Sequence, residues 1–166
     1  MHKIHPKMKT IVQRVFDLLN KKGMTFASAE SCTGGNIAHQ ITLIAGSSNI
    51  FKGTAVTYAT PIKTKVLGVP AETIEKHTVV SQQVVESMAT GVRNLMEADF
   101  GIATTGVAGP GGGSDLTPVG TVWIGVASKH GVISKCFHFQ GDRVEVINQA
   151  TFTAYEMLEQ QITDQQ

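Results

Sequence analysis

Hydrophobic positions along the chain alternate between helical spacing and short apolar runs. Ile11, Val12 and Val15 recur at the spacing of a helix face, whereas Met24 to Ala29 is a run of apolar and small residues. The pattern predicts helices over residues 11–22, 33–45, 61–68, 81–96 and 142–161, with a weaker helical turn at 71–76. It predicts strands over residues 24–29, 53–59, 100–104, 120–128 and 132–139.

This alternation predicts one α/β domain over residues 1–166, with three α/β/α layers around a mixed, mostly parallel sheet. The last two strands are close enough in sequence to form a hairpin. In such sheets, ligands bind beyond the carboxyl ends of the strands. Three segments lie at that position, residues 29–35, 58–63 and 104–113, and we expect them to form the site together.

Composition narrows the class of protein. The 166 residues suffice for one domain, and a net charge of +1 offers no footprint for nucleic acid or a membrane surface. No apolar run reaches the length of a membrane span, and Met1–Thr10 is too short and polar for a signal peptide. Two cysteines make no disulfide framework, so we expect a cytoplasmic protein. Neither histidines nor cysteines show the spacing of a structural zinc site.

The first of the three segments, Ala29-Glu30-Ser31-Cys32-Thr33-Gly34-Gly35, carries two possible nucleophiles. Ser31 lies where a predicted strand turns into a helix, and the free amides of a helix start can bind an oxyanion or a phosphate. Ser31 can equally serve as a helix cap. Cys32 is the rival nucleophile, because a helix start lowers a thiol pKa, but it can also be a small buried apolar residue.

The second segment offers a base for the serine. No histidine falls on the three segments, but Lys63 follows Pro61 in the first turn of a predicted helix. The helix dipole and partial burial both lower a lysine pKa there, and a neutral amine can accept a serine proton. The alternative is a solvated helix lysine. Tyr58 can relay a proton or bind the substrate, or it can be an aromatic residue packed at the sheet edge.

The third segment, Thr104 to Gly113, is rich in glycine, which lets backbone amides approach an anion closely. It matches neither a P-loop nor a dinucleotide-binding turn, because no helix follows with the required residues. Thr105 can offer a hydroxyl to a substrate, although a plain wide turn is the alternative. Arg143, at the start of the last helix, is either a clamp for phosphate or carboxylate or a surface arginine.

Taken together, these motifs, with Ile-Ala-Gly-Ser-Ser and Pro-Val-Gly-Thr-Val-Trp, resemble the CinA C-terminal domain family over about residues 16–158. The resemblance implies hydrolysis of the carboxamide of nicotinamide mononucleotide to nicotinate mononucleotide and ammonia, without metal or cofactor. It assigns catalysis to Ser31, Lys63 and Tyr58. The substrate contacts that it implies are Thr105 and Arg143. From the backbone amides of the glycine segment and of the helix start, we also expect substrate contacts at Gly106, Gly109, Thr33 and Gly34.

One departure from the family pattern concerns the residues before the lysine. The family often has Tyr-Ser-Asn there, whereas Ala59 and Thr60 follow Tyr58 in this chain. We expect the chain to bind a small nucleotide and neither nucleic acid nor a membrane. We also expect a homodimer, because homodimers are the most common assemblies of soluble proteins. The alternative functions are a non-catalytic nucleotide-binding module and, with less support, an NAD-dependent oxidoreductase.

Overall fold

A five-stranded sheet between two helical layers forms the protein, as described by a computed structural model of residues 6–165. In chain order the elements are α1 (Pro6–Lys22), β1 (Phe26–Glu30), α2 (Asn36–Thr42), a 3₁₀ turn (Ser47–Asn49), β2 (Phe51–Val56), α3 (Thr60–Leu67), α4 (Ala71–His77), α5 (Gln82–Leu95), β3 (Phe100–Gly106), β4 (Thr121–Ser128), β5 (Gly131–His138) and α6 (Arg143–Asp164). The predicted α/β class is confirmed.

The sheet is mixed, with strand order β2-β1-β3-β4-β5. β1 lies between β2 and β3 and is parallel to both, whereas β4 is antiparallel to β3 and to β5. Four of the five strands therefore point the same way. The carboxyl ends of β1, β2 and β3 meet at one edge of the sheet, as the sequence pattern predicts.

Side-chain size differs between the two faces of the sheet. Large residues such as Phe26 and Ile102 pack under the layer formed by α1, α2 and α6. Small residues such as Ala27 and Ala103 face α5, against which α3 and α4 pack. A Cβ at Gly101 would collide with the backbone of α5, so this glycine permits the close approach of that helix.

Element boundaries differ from the prediction where glycine controls the backbone. The helix predicted from Thr33 to Ala45 is shorter, Asn36–Thr42, because Gly34 and Gly35 have φ angles of 60° and 99° that are not helical. Residues 31–35 form a turn before it, which we call the nucleophile turn. The strand predicted over residues 53–59 lies at 51–56, and the strand predicted over 100–104 extends to Gly106.

No helix within residues 6–165 combines the length and apolar content needed to cross a bilayer. The segment Met1–Thr10, considered above for a signal peptide, has its first five residues outside the described part. Cys32 and Cys136 are both free thiols.

Candidate active site

The structure brings the three predicted segments together around a pocket of about 300 Å³ at the carboxyl edge of β1, β2 and β3. The side of the pocket that follows β1 and β2 carries the two predicted nucleophiles and the predicted base. Its lining residues are Ser31, Cys32, Tyr58, Thr60, Lys63, Val79, Val80, Thr105, Gly106, Val107, Ala108, Gly109, Gly111, Gly112 and Arg143.

Ser31 and Lys63 are in direct contact. The Nζ atom of Lys63 lies 3.0 Å from Oγ of Ser31 and donates to the carbonyl oxygens of Thr57 at 2.6 Å and Tyr58 at 3.5 Å. Lys63 is only 1% exposed and lies in the first turn of α3, which begins at Thr60. Burial lowers the pKa of Lys63 below its ordinary value. The solvated-lysine alternative is therefore wrong.

The helix cap that we considered for Ser31 is supplied by another residue. Gly35, with no side-chain cap, occupies the N-cap position of α2. The carboxylate of Glu30 instead accepts hydrogen bonds from the first amides of the helix, those of Gly35, Ile37 and Ala38 at 3.0–3.1 Å. These amides are occupied, so they are not free to hold an oxyanion, and that part of the prediction needs correction. Glu30 is the residue that the sequence interpretation missed.

The signal for Glu30 was present in the sequence. It is a charged residue that ends a buried strand and directly precedes the predicted nucleophile. Within residues 6–165, the amides of Cys32 and Thr33 make no hydrogen bond to another residue, so they are the free amides of the nucleophile turn. Val79 and Val80, which line the pocket from the segment before α5, were also missed because no motif marks them.

The thiol of Cys32 is unsuited to act as a nucleophile. Cys32 is 6% exposed and packs in the core beneath α1, α2 and α6. Burial, with a smaller contribution from the negative charge of Glu30, raises the pKa of Cys32 to about 12. The expectation that a helix start lowers this pKa is wrong, because burial outweighs the effect of the helix.

Thr33 and Gly34 lie outside the pocket lining. The hydroxyl of Thr33 is 2.7 Å from the carboxylate of Glu30, to which it donates, and 2.8 Å from the hydroxyl of Thr104. The amide of Gly34 donates to the carbonyl oxygen of Ser31. The nucleophile turn therefore directs both residues away from the space where a substrate would contact them, and we do not retain their predicted substrate contacts.

The glycine-rich segment forms the opposite side of the pocket. Thr105 lies within β3, not at the start of a loop, and its hydroxyl donates to the carbonyl oxygen of Val79 at 2.9 Å. Gly106 also lies in β3, opposite Val122 of β4. Gly109 has a φ angle of 87°, and a side chain there would collide with Val119. The segment needs glycine at this position, where it turns along the pocket.

Arg143 joins two of these segments. Its Nη1 donates to the carbonyl oxygen of Gly109 at 2.6 Å, and its Nη2 donates to the hydroxyl of Tyr58 at 2.7 Å. Tyr58 lies two residues after β2 and is 59% exposed, so it is not packed at the sheet edge. Within residues 6–165, the Tyr58 hydroxyl makes no hydrogen bond to Ser31 or Lys63.

The part of the chain between residues 6 and 165 holds no group of three or more His, Cys, Asp or Glu side chains placed to bind a metal ion. The polar side chains that line the pocket are those of Ser31, Tyr58, Thr60, Lys63, Thr105 and Arg143, beside the thiol of Cys32.

A family model for the CinA C-terminal domain matches residues 8–162. The chain belongs to this family. A CinA-like protein of Flavobacterium psychrophilum is 50% identical over 145 residues, which cover 87% of this chain and 35% of that protein. One of Fervidobacterium nodosum is 43% identical over 144 residues, again 87% of this chain and 35% of the relative. The chain thus spans about a third of the length of these relatives.

Solved structures of the family share the fold over nearly the whole chain. A CinA superfamily protein from Klebsiella pneumoniae superposes with a TM-score of 0.91 at 36% identity, covering 95% of this chain and 98% of that one. The competence/damage-inducible protein from Agrobacterium tumefaciens gives a TM-score of 0.92 at 36% identity, with 95% and 97% coverage.

Proposed function

We propose that this chain hydrolyses the carboxamide of nicotinamide mononucleotide, releasing ammonia and nicotinate mononucleotide. The observation that carries the proposal is the 3.0 Å contact between the Ser31 hydroxyl and a buried lysine amine. A serine becomes a nucleophile when a neighbouring base takes its proton, and this pair has the required distance. The choice of nicotinamide mononucleotide follows the resemblance to the CinA C-terminal domain family.

The surroundings of Lys63 favour its role as a base. A neutral amine has two N–H donors and one lone pair, and the carbonyl oxygens of Thr57 and Tyr58 can only accept. If these carbonyls take the two N–H groups, the lone pair is left for the hydroxyl proton of Ser31. Because Lys63 is in direct contact with Ser31, no relay through Tyr58 is needed.

The reaction then proceeds through an acyl-enzyme. Ser31 Oγ attacks the carboxamide carbon while its proton moves to Lys63 Nζ. The C–N bond breaks, and Lys63 returns the proton to the nitrogen, which leaves as ammonia. A water molecule then attacks the ester carbon and gives one proton to Lys63. The ester bond breaks as Lys63 returns this proton to Ser31 Oγ, and the released carboxylic acid ionises to the carboxylate.

We assign the oxyanion to the free amide of Cys32, a residue that lines the pocket. The amide of the residue after the nucleophile has this role in many serine hydrolases, and it is preorganised by the backbone. The amides of Gly35, Ile37 and Ala38 are excluded because Glu30 already occupies them.

We propose that the nucleotide phosphate binds on the opposite side of the pocket, beside Arg143 and the glycine-rich segment. Arg143 offers a planar, permanently charged fork, and the neighbouring glycine segment allows backbone amides to approach an anion. Tyr58 holds one nitrogen of that fork, so we propose that it acts on the substrate through Arg143. The volume of about 300 Å³ lies at the lower end of the range of about 300–1,000 Å³ for small-molecule pockets.

The direct test is ammonia release from nicotinamide mononucleotide by the purified protein and by Ser31→Ala. We expect turnover by the wild type, and a loss of about 10³-fold or more in kcat for the variant, since the covalent route is removed. Binding of the nucleotide, measured by calorimetry, should persist in Ser31→Ala. Binding without ammonia release by the wild type would instead favour the non-catalytic nucleotide-binding module.

Two truncated substrates separate the chemistry from phosphate recognition. Nicotinamide riboside lacks the phosphate, and free nicotinamide lacks both ribose and phosphate. We expect both to be hydrolysed with much lower kcat/KM, because they lose the contacts with Arg143 and the glycine segment. Equal use of nicotinamide riboside would contradict the assignment of Arg143 to the phosphate.

A further inference from the structure

Glu30 is a buried carboxylate without a cationic partner. It ends β1 directly before Ser31 and is 0% exposed. Within residues 6–165 it forms no salt bridge, since the ion pair found there joins Arg14 to Glu159. Glutamate is almost never fully buried unless it is paired, and a buried charge without a counter-ion needs hydrogen bonds in its place.

Hydrogen-bond donors surround this carboxylate on both oxygens. One oxygen, Oε2, accepts from one hydroxyl and two amides, those of Thr33 (2.7 Å), Gly35 (3.0 Å) and Ile37 (3.1 Å). The other, Oε1, accepts from one amide and two hydroxyls, those of Ala38 (3.0 Å), Ser28 (3.2 Å) and Thr54 (3.4 Å). Amides at the start of a helix favour a negative charge, so they take the place of a counter-ion.

These contacts fix the nucleophile turn, residues 31–35, at both of its ends. Glu30 is continuous with its first residue, and its carboxylate binds Thr33 and Gly35 within the turn. Successive side chains at a strand end point to opposite faces. Because Glu30 faces α2, Ser31 points the other way, toward Lys63 of α3.

We propose that Glu30 is a positioning residue for Ser31: its carboxylate holds the nucleophile turn so that Ser31 Oγ stays at Lys63 Nζ and the amide of Cys32 remains free. This inference rests on the proposed function of Ser31 as the nucleophile. It also agrees with the proposed place of the substrate phosphate beside Arg143, since Glu30 already occupies the first amides of α2.

The conservative variant Glu30→Gln tests the charge and the acceptor pattern at nearly constant shape. Each carboxylate oxygen accepts a backbone N–H, whereas a carboxamide replaces one oxygen with an N–H₂ donor. In either orientation of the glutamine, a donor would then face the amide of Ala38, or those of Gly35 and Ile37. The nucleophile turn must therefore shift, even if the protein folds.

The matched control is Tyr155→Phe. Tyr155 is fully buried, and its hydroxyl donates to the carbonyl oxygen of Ile37 at 2.6 Å, so the variant removes a buried hydrogen bond to the same helix, α2. It leaves all the contacts of Glu30 in place. We expect the control to lower the thermal midpoint while kcat stays within about twofold, because no contact near Ser31 changes.

Two measurements compare the wild type, Glu30→Gln and Tyr155→Phe. The first is kcat and KM for ammonia release from nicotinamide mononucleotide. The second is the rate at which a fluorophosphonate modifies Ser31, followed by mass spectrometry of the intact protein, which needs no nucleotide substrate. For Glu30→Gln we expect about a ten- to hundredfold loss in kcat and in the modification rate, with KM nearly unchanged, because a small displacement of a nucleophile has this effect.

The outcomes separate this inference from the proposed function. If the wild type releases no ammonia but Ser31 is modified, the substrate proposal fails and the modification rates still test Glu30. The inference is overturned if Glu30→Gln reacts as fast as the wild type, or if Tyr155→Phe slows Ser31 equally at the same loss of stability. A Ser31 that is inert in both measurements overturns the inference together with the proposed function.

Discussion

The two sides of the pocket are built in different ways. On one side, the nucleophile side (Ser31 and Lys63), the lysine is 1% exposed and contacts the serine and two backbone carbonyls. On the other, the arginine side (Tyr58, Gly109 and Arg143), the arginine bridges an exposed tyrosine and a glycine carbonyl. The lysine of the first side is shielded from water, whereas the tyrosine and the arginine of the second side are exposed to it.

This difference has a functional consequence under the proposed mechanism. The contact between Ser31 and the buried Lys63 changes the protonation chemistry of the reaction, because burial lowers the pKa of Lys63. An exposed arginine contributes mainly contacts that substrate and transition state share. Substitutions on the nucleophile side should therefore lower kcat, and those on the arginine side should raise KM.

The largest expected effect comes from Lys63→Met, which keeps a long side chain in the buried site but removes the amine. We expect kcat for ammonia release to fall by about 10²–10⁴-fold with little change in KM, since general-base catalysis contributes that much. Nucleotide binding measured by calorimetry should be retained. If Lys63→Met has a kcat near that of the wild type, the buried lysine has no chemical role, and the proposed difference between the two sides is wrong.

The dependence of kcat/KM on pH also tests whether Lys63 acts as the base. Only neutral Lys63 can accept the Ser31 proton, so kcat/KM should rise about tenfold per pH unit below the Lys63 pKa and level off above it. Because burial lowers that pKa, the plateau should begin below the ordinary lysine value of 10.5. The residual activity of Lys63→Met should lack this limb. An unchanged limb in that variant would assign the titration to another group.

Stability should follow the same titration. With a folded pKa below the unfolded one, the unfolded chain binds more protons between the two values, so the free energy of unfolding rises with pH in that interval. We therefore expect the wild type to gain stability relative to Lys63→Met as pH rises from the folded pKa toward 10.5, which denaturant unfolding at several pH values can measure.

The two sides also differ in how far they could be predicted from the sequence. Hydrophobic periodicity predicted the α/β layers, and the rule for strand ends brought Ser31 and Lys63 to one edge, because both depend on local patterns. The Tyr58–Arg143 bond joins residues 85 positions apart and depends on side-chain orientation. Glu30 was missed for a similar reason: its role depends on where the turn places three amides, which sequence spacing does not specify.

On the arginine side the largest effect should come from Arg143→Ala. A hydrogen bond to a charged group contributes about 1.5–3 kcal/mol, so we expect KM for nicotinamide mononucleotide to rise about 10- to 100-fold with kcat within a fewfold. The fold should survive, because Asp142 and Glu145 form the capping box of α6 without this side chain. With nicotinamide riboside as substrate, the variant and the wild type should differ much less. A fall in kcat instead of a rise in KM would contradict the division of roles.

A smaller effect is expected for Tyr58→Phe, which removes the hydroxyl that holds Nη2 of Arg143. The hydroxyl acts on the substrate only through Arg143, so KM should rise less than in Arg143→Ala, about 2- to 10-fold, while kcat stays within about twofold. In the Arg143→Ala background the same change should have no further effect, since the two residues act together. If kcat falls strongly in the single variant, Tyr58 takes part in proton transfer, and it belongs with the nucleophile side.

The smallest effect should come from Cys32→Ala, beside the nucleophile. The variant keeps the backbone amide that we assign to the oxyanion and removes only a thiol whose pKa is raised to about 12 by burial. We expect kcat and KM within about twofold of the wild type, with a modest loss of stability from the small cavity in the core. Ser31→Ala, measured alongside, should be inactive. The reverse result, an inactive Cys32→Ala and an active Ser31→Ala, would transfer the nucleophile to the cysteine, and the contact of Ser31 with Lys63 would then be only a packing contact.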